Sequence, residues 1–200
     1  ALGRADLCRR QADRAITAAS FFILPSAVLL SVLAPPLART LFREETAGQF
    51  ALPLAAAVAL SCLESVLAVC LNGLGKQAIT ARNGLICGAV QLFLTWQRMG
   101  VPGVGLQGYV EALLISTGLG LLLHWRSLHR AIGLKARPFL WLIAPGLSSL
   151  LAGLCVILLF SALTRAGLGE GAGCLVNLIF GTALYLCAMT AQGVGRGSSP

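Results

Sequence analysis

The chain has 200 residues, of which 57% are hydrophobic and only 11% charged, with a mean hydropathy of +0.84. An ordinary soluble domain carries roughly 25% charged residues, so this chain lacks the polar groups to cover a globular surface, and its expected solvent is lipid. The net charge of +8 sits in short clusters between apolar runs and not along one stripe, which argues against a nucleic-acid partner and for basic loops flanking membrane spans.

Six apolar runs follow one another, roughly 15–36, 50–71, 80–96, 104–123, 138–163 and 173–192. Each is near the length of about 20 residues that crosses the hydrocarbon layer as a helix. None alternates polar and apolar residues as a membrane strand does, and a helix satisfies its own backbone hydrogen bonds in lipid. The expected fold is therefore an all-α integral membrane domain over 15–192, with a segment 1–14 before it and a tail 193–200 after it. The first run is too long for the apolar part of a signal peptide and lacks a small-residue cleavage site. The chain starts at Ala1 and not at Met, from which upstream sequence is expected.

Within the first run, Pro25 removes a backbone hydrogen bond and is expected to kink the helix, which neighbouring helices must repair. The second run carries a stripe of small residues, Ala57, Ser61, Ser65 and Ala68, and the third carries Gly84 and Gly88. Both patterns predict close helix–helix contact. The segment 125–137 interleaves Trp125, Leu128, Ile132 and Leu134 with Arg126, His129, Arg130, Lys135 and Arg137. It reads either as an amphipathic helix lying against anionic headgroups or as an ordinary basic loop.

The basic residues orient the spans. Arg4, Arg9, Arg10, Arg14, Lys76, Arg82, Arg126, Arg130, Lys135, Arg137 and Arg196 fall on one side; Arg39, Arg43, Arg98 and Arg165 fall on the other. The richer side is expected to be cytoplasmic, which puts both termini there, in the plasma membrane.

Two carboxylates lie inside runs. A charge in hydrocarbon costs at least ~2.5 kcal/mol on insertion scales, so Glu64 and Glu111 are expected to face the bundle interior or a water-filled path, and burial can hold them protonated. Glu64, with Ser61 on its face, is a candidate for cation coupling or a polar substrate contact, with Arg82 as its candidate partner. Its other reading is a hydrogen bond to a neighbouring helix. Glu111 is the shallower of the two. Gln91, one turn before Thr95, and Asn177 are expected to bond between helices. His124 and His129 fall at the cytoplasmic interface. The seven cysteines are odd in number, form no CxxC pair and lie mostly in apolar runs, which points to packing and not to a disulfide framework or a zinc site. No pair of His, Asp or Glu has metal-ligand or catalytic spacing, and no hydrolase, metalloprotease or phosphate-loop motif occurs. No metal, no cofactor and no enzymatic activity are expected.

Several stretches in order carry a resemblance. They are ILPSAVLLSVLAPPLARTLF in the first run, NGLGK (Asn72 to Lys76), GVGLQGY (Gly103 to Tyr109) and KARPFLWLIAPGL before the fifth run's centre. The chain resembles the C-terminal portion of the polysaccharide flippases related to stage V sporulation protein B, in the multidrug/oligosaccharidyl-lipid/polysaccharide exporter superfamily. The resemblance implies a fourteen-helix, two-lobe transporter whose ninth to fourteenth helices are these six. Such a protein flips lipid-linked saccharides for cell-wall, spore-cortex or polysaccharide synthesis by alternating access, without hydrolysing ATP. Its first lobe would come from sequence not present here or from a second chain. By position, the last two runs would line a groove for a lipid tail, with Gly153 and Gly181 packed along it. The alternatives are a cation-coupled multidrug exporter of the same superfamily and a non-transporting fragment or partner subunit.

Overall fold

The computed structural model describes residues 2–42, 50–135, 139–167 and 170–191. Arg43, Arg137, Arg196, the tail 193–200 and the expected span limits at 138 and 192 lie outside them. Among the described residues there are six α-helices and no strand: α1 (Leu2–Phe42), α2 (Ala51–Gly73), α3 (Gln77–Met99), α4 (Gly105–Ile132), α5 (Ala144–Arg165) and α6 (Glu170–Ala191). A π-helical turn, Phe139–Ile143, leads into α5. Five stretches are long and apolar enough to cross a bilayer: Asp6–Pro36, Ala51–Gly73, Gln77–Met99, Gly105–Ile132 and Trp141–Arg165. The apolar part of α6, Gly171–Cys187, is shorter. The chain is an all-α, multi-pass membrane protein.

The helices run past the expected limits where polar residues continue them. α1 has 41 residues, about 60 Å at 1.5 Å per residue and twice the ~30 Å hydrocarbon layer. The segment expected before the first span is therefore, from Leu2 on, a helical extension of it. α1 also stays helical through Pro25, Pro35 and Pro36. α4 absorbs most of the basic connector and ends at Ile132, where Gly133 turns left-handed (φ 64°) and its N–H bonds the His129 carbonyl. Leu128 and Leu134 of that connector are buried to 0% and 1% exposure. These two apolar residues pack into protein: Leu128 on α4, which continues into the segment, and Leu134 just past its Gly133 cap.

The turn between α2 and α3 explains the NGLGK stretch. The Lys76 N–H bonds the Leu71 carbonyl at 3.0 Å and the Gly75 N–H bonds the Asn72 carbonyl at 3.0 Å. This pair of bonds satisfies the last carbonyls of α2 and requires a left-handed residue at the glycine. Gly75 has φ 70°.

The chain divides into two compact units, Ala1–Ala19 with Ala56–Ala136, and Ser20–Ala55 with Arg137–Pro200. In the second, the packing is inside-out relative to a soluble protein. Ser148, Ser149, Ala152 and Val156 of α5 are buried, while Leu150, Leu151, Leu154 and Leu158 are exposed. Lipid gives leucine no reason to leave the surface, and small residues let helices approach. Gly153 and Gly181 are buried in this unit. A Cβ on Gly153 would stand 2.5 Å from Cγ1 of Val28, and one on Gly181 would stand 2.7 Å from both Leu29 and Val156. Both glycines are points where α1 meets α5 and α6.

Pro25 has a repaired neighbour. A helix would bond the Phe21 carbonyl to the N–H of residue 25, which proline lacks. The Tyr185 hydroxyl of α6 donates to that carbonyl at 2.8 Å, and the Phe21 and Tyr185 rings meet edge to face at 5.4 Å.

Candidate functional site

The first unit places its polar residues along one seam. On α3, Asn83 and Cys87 are buried and Gln91 is half-buried. They recur every fourth residue and so share one face. Leu85, Leu92 and Trp96 of the same helix are exposed. α4 presents Ser116, Thr117, Gly120 and His124, all buried, and α2 presents Glu64.

Glu64 and His124 meet on this seam. The imidazole Nδ1 lies 3.5 Å from Oε1 of Glu64 and 2.8 Å from the Gly120 carbonyl, one turn back on α4. A carbonyl only accepts, so Nδ1 carries a hydrogen. Nε2 is buried and has no partner among the described residues. The His124 side chain is 3% exposed and that of Glu64 22%. A Cβ on Gly120 would overlap the Glu64 carboxylate, so the carboxylate occupies the space that glycine leaves.

The three helices bring these groups to one level. Glu64 lies nine residues before the end of α2, Cys87 ten after the start of α3 and His124 eight before the end of α4, each about 12–15 Å along its helix. The Leu74–Lys76 turn joins the first two of those ends, and the α3–α4 hairpin aligns the third. Nearer those ends, Arg82 Nη2 donates to Asn83 Oδ1 at 3.4 Å, Asn83 Nδ2 donates to Ser127 Oγ at 3.2 Å, and Ser127 Oγ donates to the Leu123 carbonyl.

The expected partner of Glu64 is thus replaced. Arg82 is exposed and bonds Asn83, and the neighbour of Glu64 is His124, which is buried in the protein. Glu111 lies apart from the pair: it stands 3.5 Å from Arg98 across the α3–α4 hairpin and accepts from Gln107. Gln91 makes no side-chain hydrogen bond among the described residues. Asn177 donates to the Gly173 carbonyl of its own helix, and no bond from it to another helix occurs among the described residues. Gly84 and Gly88 are exposed with no atom within 4 Å of an ideal Cβ, so the close contact expected there is not made by described residues. Of the small stripe on α2, Ala57 is buried and Ser65 is exposed, its hydroxyl donating to the Ser61 carbonyl. Sequence reasoning named His124 without a role beside Glu64 and did not single out Gly120 or Asn83. The one signal for the His124 site was the Gly120–His124 spacing of one turn, which leaves a hole beside an imidazole; nothing in the sequence pointed to Asn83.

The fold and site define a multi-pass helical membrane protein with an acid–imidazole pair between its helices. No family model, no curated protein sequence and no solved structure matches the chain.

Proposed function

We propose that this chain is part of a membrane transporter that flips lipid-linked saccharide precursors across the plasma membrane by alternating access. The observation that supports transport most is the Glu64–His124 pair: two ionisable side chains kept inside a lipid-solvated helical unit, where polar groups mark substrate and ion paths. The substrate class rests on the resemblance of ILPSA, NGLGK and GVGLQGY to the stage V sporulation protein B relatives. In this reading the α2–α3 turn and the α4 end face the cytoplasm, since they carry Lys76, Arg82, Arg126, Arg130 and Lys135. The rest of the transporter comes from helices outside this sequence, and the protein acts as a carrier and not as an enzyme.

The test uses the full-length gene product. Cells depleted of it should accumulate lipid-linked saccharide in the cytoplasmic leaflet. Wild-type protein should restore the basal level, and Glu64→Gln at matched expression should leave most of the accumulation in place. Unchanged saccharide levels on depletion would remove the flippase reading, and a loss of cationic-dye efflux in the same cells would favour a multidrug exporter.

A further inference from the structure

We propose that Glu64 and His124 together bind one exchangeable proton, which makes the pair the proton site of this protein. Its role in transport rests on the reading above; its existence does not. Three observations carry it. The pair is built: Gly120 leaves the volume that the carboxylate fills, and its carbonyl holds Nδ1 of His124. The imidazole is enclosed at 3% exposure, and the Glu64 side chain beside it is 22% exposed. One nitrogen is unspent: Nε2 is buried with no partner among the described residues.

The Nδ1 hydrogen is committed to Gly120, so exchange takes place at Nε2 or at the carboxylate. With neutral imidazole and ionised Glu64 the site carries one negative charge. One added proton takes it to zero, either as imidazolium beside carboxylate or as neutral imidazole beside carboxylic acid. In hydrocarbon the uncharged site is the stable one, and an isolated carboxylate is costly. Release of the proton therefore goes with water reaching the pair, and uptake goes with enclosure. The surrounding groups leave this balance in place. Cys87 on α3 adds no positive charge, Arg82 is exposed on Asn83, and α1 turns Ala12 and Ile16 inward while Arg9, Arg10 and Arg14 are exposed and Asp13 is half-buried. Two titratable ligands suit a proton better than a metal, and no group of three or more His, Cys, Asp and Glu forms among the described residues.

The test is an infrared titration of the purified full-length protein in lipid nanodiscs. In the wild-type minus Glu64→Gln difference spectrum, which cancels the other carboxyl groups, a carboxylic-acid carbonyl band should grow as pH falls, and its midpoint should move in His124→Gln. Glu64→Gln keeps the side chain's size, and gel filtration confirms that each variant is folded. No pH-dependent carbonyl band in that difference, or a midpoint that His124→Gln leaves in place, overturns the proposal. The saccharide assay reads a different quantity. A band lost in Glu64→Gln together with normal saccharide levels on depletion would support the proton site and remove the flippase reading. A retained band with accumulated saccharide would do the reverse.

Discussion

At Gly120 a single hydrogen atom in place of a side chain decides the local chemistry. The Glu64 carboxylate stands where a Cβ would be, so Gly120→Ala must push it out of the seam and away from Nδ1 of His124. Overpacking of this kind costs about 1–3 kcal/mol. The expected outcome is a stability loss of that order together with a change in the Glu64 infrared band. A lower stability with an unchanged band would mean that the carboxylate had never been in contact. Glu64 was legible in the sequence as a charge inside an apolar run. Its partner was not, because sixty residues separate Glu64 from His124 and periodicity reports one helix face at a time. Arg82, the partner expected from the sequence, falls on the outer side of α3 beside Asn83, which turns inward toward Ser127.

At the scale of the helix, two devices hold distant segments together. Pro25 leaves a carbonyl without its helical donor, and Tyr185 supplies one. Tyr185→Phe keeps the ring contact and deletes only the donor, which leaves the Phe21 carbonyl unsatisfied in a dry interior. The expected loss is about 1 kcal/mol in reversible unfolding from mixed micelles, and a Pro25→Ala background should abolish most of it by restoring the N–H. The α3–α4 hairpin is tied by Asn83 and Ser127. A double-mutant cycle with alanine at each should give a coupling of about 0.5–1.5 kcal/mol, as membrane hydrogen bonds do; zero coupling would mean that the 3.2 Å contact contributes nothing. The sequence located both helices. It hid the full length of α4, because the basic residues Arg126 and Arg130 broke the apolar run while helix propensity and the buried Leu128 carried the helix on to Gly133.

For the whole molecule, composition and packing agree for one physical reason. A chain with 11% charged residues can expose leucine only to lipid, and the exposed faces of α3 and α5 are leucine-rich while their inward faces hold Ser, Asn, Cys and Gly. That inversion was foreseeable from the small-residue stripes, although the stripe at Gly84 and Gly88 turned outward. The proposed orientation of the ends rests on charge alone, and it can be measured. In a background with all seven cysteines replaced, a single cysteine at Lys135, past the end of α4, should react with an impermeant maleimide only after cells are permeabilised. One at Arg165, the last residue of α5, should react in intact cells. Both positions are exposed, and α5 separates them, so their labelling must be opposite if α5 crosses the bilayer. Opposite labelling with the two positions exchanged would invert the orientation and place the Glu64–His124 pair nearer the outer surface. Equal labelling would remove the fifth span.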